Sequence, residues 1–118
     1  MLIKSSQLVH YKGIQQEVLG DAPFIGARLL STDCDRNCPG CFNQSLKDEP
    51  ILEATVEQIL DQVQSNPFNE GVIFGGLEWS LQPKELISLV FESLNRELSV
   101  IVYTGHSLTT FLNIVPEL

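Results

Sequence analysis

Apolar runs of strand length take turns with amphipathic runs of helical period, and this alternation constrains the fold more than any other feature of the chain. Phe24 to Leu30, Phe-Ile-Gly-Ala-Arg-Leu-Leu, has the length of a buried strand. Thr55-Val56-Glu57-Gln58 has the form of a capping box, in which the Thr hydroxyl and the Gln side chain satisfy the first free amides of a helix. Val56, Ile59, Leu60 and Val63 then recur on one face, and Asn66-Pro67 ends the helix because a residue before proline avoids the helical region. Glu70 to Phe74 supplies a second strand, closed by Gly75-Gly76. Pro83 suits the first turn of a helix whose Leu86, Leu89, Val90, Leu94 and Leu98 form a core face. Ser99 to Tyr103 is a third strand, broken by Gly105. Ser107 caps a short helix carrying Leu108, Phe111 and Leu112, and Pro116 stops it. Residues 1 to 22 read as short extended pieces with a turn at Gly20-Asp21.

Strands that alternate with helices of this length predict an α/β domain with a mainly parallel sheet. In such sheets ligands bind outside the carboxyl ends of the strands. Three loops follow strands here: Cys34 to Cys41, Gly75 to Glu78, and Thr104 to His106. The topology therefore predicts that loops far apart in sequence gather into one site. A chain of 118 residues that is 43% hydrophobic has enough apolar material for a single domain spanning 1–118. No run is apolar enough to span a membrane and the first residues do not resemble a secretory leader, so a cytoplasmic protein with no membrane partner is expected.

Charge narrows the function classes. The formal net charge of −8 weighs against a module that grips nucleic-acid phosphates. Residues 1 to 47 hold five basic and four acidic side chains, whereas residues 48 to 118 hold two basic (Lys84, Arg96) and eleven acidic ones. Acidic helix faces give solubility, or alternatively a docking surface for a basic partner.

All three cysteines fall within Cys34-Asp35-Arg36-Asn37-Cys38-Pro39-Gly40-Cys41. An odd count without a leader argues against a disulfide framework. Three thiolates spaced Cys-x3-Cys-x2-Cys suit a soft metal or an iron–sulfur cluster. Structural zinc takes four protein ligands, and only His10 or His106 is available to complete such a set. A ferredoxin run uses four cysteines, so a pure electron carrier is disfavoured. Three cysteines on a four-iron cluster leave one iron open to a substrate. Arg36 is placed to offset thiolate charge, and Pro39-Gly40 permits a tight turn.

These residues resemble the radical S-adenosylmethionine enzymes, whose cluster motif is Cys-x3-Cys-x2-Cys. Cys38-Pro39-Gly40-Cys41-Phe42-Asn43 is similar to a segment of the activating proteins of anaerobic ribonucleoside-triphosphate reductase. Phe74-Gly75-Gly76-Leu77-Glu78 resembles the family's Gly-Gly-Glu motif, with Leu77 inserted and Trp79 where proline is usual. Tyr103-Thr104-Gly105 resembles a further segment of the same activases. The resemblance implies a partial (β/α) barrel in which Cys34, Cys38 and Cys41 hold a 4Fe-4S cluster. It also implies that Phe42, Gly75, Gly76, Glu78 and Thr104 line the S-adenosyl-L-methionine site, the glycines allowing close backbone approach and the glutamate matching the methionyl ammonium.

The implied activity is reductive cleavage of S-adenosylmethionine to make a glycyl radical on a partner, the large subunit of anaerobic ribonucleotide reductase. Reduced flavodoxin or a similar donor would supply the electron. Rival readings are another radical activase or maturase, and a non-catalytic zinc or iron–sulfur binding module. Full family members continue for further strand and helix units, so the resemblance also implies a shortened or partial copy lacking the C-terminal units. Trp79 is expected to edge the pocket or pack beneath the glycine loop, His106 to line the site or cap a helix, and His10 to lie on the surface.

Overall fold

A computed structural model describes residues 7–20, 22–32, 50–76, 78–104 and 107–116. In chain order the elements are β1 (Leu8–Tyr11), β2 (Gly13–Val18), β3 (Gly26–Leu30), β4 (Leu52–Thr55), α1 (Val56–Ser65), β5 (Gly71–Gly75), α2 (Pro83–Asn95), β6 (Ser99–Val102) and α3 (Leu108–Ile114). A 3₁₀ turn over Trp79–Leu81 lies between β5 and α2.

The four-stranded sheet has the order β2-β3-β5-β6, and β1 pairs separately with β4. β3 is parallel to β5, with Arg28 opposite Ile73 and Leu30 opposite Gly75, and β5 is parallel to β6, with Phe74 opposite Val102. β2 runs antiparallel to β3, and β1 antiparallel to β4. The expected mainly parallel sheet is thus corrected to a mixed arrangement with a parallel half. Connection length explains it: β2 reaches β3 through a few residues, which only antiparallel neighbours allow, whereas α1 and α2 span the parallel crossovers.

Successive side chains on a strand point to opposite faces. Ala27, Leu29, Val72 and Phe74 pack with Val56, Ile59, Leu60 and Val63 of α1 and with Leu86, Ile87, Leu89 and Val90 of α2. Phe111 and Val115 join the same core, so all three helices cover one face of the sheet. The opposite face carries Arg28 and Leu30 of β3, Ile73 and Gly75 of β5, and Ile101 of β6.

The local signals act as read. Thr55 Oγ1 accepts from the Gln58 N–H at 3.1 Å while Gln58 Oε1 accepts from the Thr55 N–H at 2.9 Å, which closes the capping box. Asn66 takes an extended conformation ahead of Pro67 and ends α1. Pro83 occupies the first turn of α2, and Ser107 Oγ accepts from the Thr110 N–H at the start of α3. The expected core faces need trimming. Leu94, Leu108 and Leu112 are exposed, while Ile87 is buried. Leu94 lies near the C-terminal end of α2 and Leu108 in the first turn of α3.

Candidate functional site

β3, β5 and β6 end side by side, so the chain leaving each strand emerges at one rim of the sheet. The first loop begins at Ser31 and Thr32. Ser31 is fully buried and its N–H donates to the Gly75 carbonyl at 3.3 Å. Thr32 donates both its backbone N–H and its Oγ1 hydroxyl to Gln82 Oε1, each at 3.1 Å. Cys34 follows two residues later. Arg36, Cys34, Cys38, Cys41 and Phe42 lie outside the described residues, as do Leu77, Gly105 and His106.

Gly75 and Gly76 close β5. Gly76 has φ +84, a left-handed conformation that L side chains rarely adopt, and a Cβ there would meet Leu30 Cδ2 at 2.6 Å. The neighbouring strand therefore requires glycine at this position. A Cβ at Gly75 would lie 3.2 Å from Arg28 Nε, so the guanidinium passes directly over the glycine. Arg28 also donates from its guanidinium to Gln15 Oε1 at 3.3 Å.

Glu78 is 2% exposed and begins the 3₁₀ turn. Its Oε2 accepts from the Ser80 N–H at 3.2 Å, and both carboxylate oxygens lie 2.9 Å from the Thr104 hydroxyl. Because Thr104 follows β6, this contact ties the second loop to the third. Tyr103 extends the same link, its N–H donating to the Phe74 carbonyl at 2.9 Å. The structure therefore brings together Gly75, Gly76, Glu78 and Thr104, four of the residues expected from the sequence. Ser80, which the sequence reading did not single out, is 2% exposed, and its Oγ has no hydrogen-bond partner among the described residues. A buried hydroxyl left unpaired is costly, and a ligand atom at this rim would satisfy it.

Trp79 forms the floor. It is fully buried, its ring meets Phe74 edge-on with centroids 5.6 Å apart, and its Nε1–H donates to the Leu29 carbonyl at 3.0 Å. Of the two expected placements, packing beneath the glycine loop is the one adopted. His10 lies on β1, its side chain between Glu53 of β4 (Nε2 to Oε2, 3.0 Å) and Glu85 of α2 (Nδ1 to Oε1, 2.9 Å). The hydrogen bond to Glu85 raises its pKa above the usual 6.5, partial desolvation opposes this, and the charges of Glu85 and Glu53 add to the rise. With both ring nitrogens committed to carboxylates, His10 is occupied as an ion-pair partner.

An α/β layer whose parallel strands end at one rim, one of them followed in sequence by a three-cysteine motif, is suited to a small metallocluster domain. The chain belongs to the 4Fe-4S single cluster domain family, whose pattern matches residues 25–117. No curated protein is a significant match to it. The match spans all three loops, and the donor set of Cys34, Cys38 and Cys41 is chemically suited to iron and sulfide. Among the described residues no helix is long and apolar enough to cross a membrane.

Proposed function

We propose that this domain is a radical S-adenosylmethionine enzyme, a cytoplasmic activase that generates a glycyl radical on anaerobic ribonucleotide reductase. The observation that carries the reading is the junction of Glu78 with Thr104 across the loops after β5 and β6, beside the strand that runs into the cysteine motif. Cys34, Cys38 and Cys41 would hold the 4Fe-4S cluster, three ligands to four irons. With one electron from reduced flavodoxin or a similar donor, the bound cluster would supply the chemistry for reductive cleavage of S-adenosylmethionine.

The chain's own residues bind and orient. Gly75 and Gly76 let β5 close beneath Arg28 and Leu30, the buried Ser80 hydroxyl has no partner among the described residues, and Glu78 brings a carboxylate to the rim. Trp79 and Phe74 close the base of the loop against water. The described helices pack on one face of the sheet, as the outer layer of a partial barrel would.

A second reading is an iron–sulfur binding module without catalysis. It is favoured by the involvement of the Glu78 carboxylate with Thr104 and the Ser80 amide, a capping role that needs no ligand. The two readings diverge in one assay. The chain is reconstituted anaerobically with iron and sulfide, reduced with dithionite and given S-adenosylmethionine. Formation of 5′-deoxyadenosine, lost when any of Cys34, Cys38 or Cys41 is changed to Ala, supports the enzyme. A reconstituted cluster that yields none supports the binding module. A glycyl radical on the reductase, read by electron paramagnetic resonance, tests the partner.

A further inference from the structure

Gln82 breaks a local rule. It occupies the N-cap of α2, where Ser, Thr, Asp or Asn normally folds its side chain back onto the first amides, yet its side chain makes no capping bond. Pro83, the first helical residue, has no N–H of its own to be satisfied. The Gln82 amide turns away from its helix and is filled completely. Oε1 accepts the Thr32 N–H and Oγ1 hydroxyl, each at 3.1 Å, while Nε2 donates to the His10 carbonyl at 2.7 Å and to Glu85 Oε2. A primary amide has two donor and two acceptor positions, and all four are used. Glu85, three residues on, leaves the helix end uncapped as well and holds His10 through both its backbone N–H and its ring. Residues that forgo their ordinary local task mark positions under another requirement.

We infer that Gln82 is a positioning residue for the iron–sulfur cluster: it pins the chain at Thr32, two residues before Cys34, to α2 and β1. The inference rests on Cys34, Cys38 and Cys41 carrying that cluster. Without the pin, the Ser31 bond to Gly75 still ties this stretch to β5, but its tie to α2 and β1 is lost. A ligand set whose root is free to shift releases iron faster, because loss of one thiolate is less readily reversed.

The test uses the full chain reconstituted anaerobically with iron and sulfide, with cluster loss to a chelator followed by the decay of visible absorption. Gln82→Met, similar in volume but without hydrogen bonds, is expected to lose the cluster about tenfold faster, the order set by removing one or two neutral hydrogen bonds. Thr32→Val, which keeps the backbone donor, is expected to lie in between, at about threefold. Gln82→Glu retains acceptors for Thr32 and meets Glu85 with like charge. It is expected to melt lower than the wild type yet keep the cluster within about twofold of the wild-type rate. That separation of retention from stability is one a merely structural residue would not produce. Thr55→Ala, which opens the distant capping box, should lower the melting temperature and leave cluster loss and the reduced cluster's paramagnetic spectrum unchanged. Wild-type loss rates in both Gln82→Met and Thr32→Val overturn the inference, as does equal acceleration in Thr55→Ala. A wild-type chain that takes up no cluster overturns the cluster reading and this inference with it.

Discussion

Two glycines with positive φ make it possible to separate backbone strain from crowding in one protein. Gly76 (φ +84) and Gly20 (φ +90) share nearly the same conformation, but a Cβ at Gly76 would sit 2.6 Å from Leu30 Cδ2 and 3.2 Å from Leu30 Cα, whereas at Gly20 nothing lies within 4 Å. Replacing either by Ala places an L residue in the left-handed region, at about 1–2 kcal/mol. The reduced freedom of the unfolded chain offsets about 0.4–1 kcal/mol of that. Gly20→Ala should therefore cost about 1 kcal/mol or less. Gly76→Ala must also displace Leu30, which is 5% exposed and has little room to move, and overpacking of this kind adds about 1–3 kcal/mol. At roughly 4 °C per kcal/mol for a domain of this size, Gly76→Ala should melt about 4–12 °C below Gly20→Ala. Far-ultraviolet circular dichroism on the reduced, cluster-free chain measures both. Melting temperatures within a degree of each other would refute the argument that the close approach of Leu30, and not the dihedral angle alone, makes glycine necessary at the end of β5.

Other expectations follow from the same geometry. Thr104→Val removes a hydroxyl that bonds the buried Glu78 carboxylate, and a hydrogen bond to a charged group is worth about 1.5–3 kcal/mol, so urea unfolding at neutral pH should shift by that amount. A shift under 0.5 kcal/mol would mean the contact contributes nothing net. His10 has a folded pKa raised by Glu85 and Glu53. Its stabilising contribution is therefore complete below the unfolded value of 6.5 and is lost as pH climbs through the raised folded value. The side chain is 49% exposed, so solvent screening keeps the effect small. His10→Gln should flatten the fall in stability between slightly acid and slightly alkaline pH. An unchanged slope would show that the ion pairs do not form in solution.

What the sequence discloses here depends on how local the determining contacts are. Thr55 and Gln58 cap α1 through bonds within four residues, and the Asn66-Pro67 stop is equally local, so both are readable from spelling alone. β4 was not legible, because Leu52–Thr55 is only four residues long, runs straight into the capping box, and becomes a strand only by pairing with Leu8–Tyr11, more than forty residues earlier. Helical period told which side of α2 faces the core but not how wide the covered stripe is, so Leu94 emerges exposed and Ile87 buried. At the site, strand ends put the loops at one rim and the family resemblance named Gly75, Gly76, Glu78 and Thr104 within them, while the hydrogen bond joining Glu78 to Thr104 depends on side-chain placement that neither signal carries. Gln82 left a trace that could have been used: a glutamine directly before Pro83, where a better cap would be expected.

The strand order carries a consequence for loop length. β5 lies between β3 and β6, and its closing loop is fastened on both sides, to Ser31 through the Gly75 carbonyl and to Thr104 through Glu78. A residue gained or lost between Gly75 and Glu78 would shift one fastening relative to the other. A change of length in this middle stretch would therefore be felt on two sides of the sheet at once, whichever of its letters were altered.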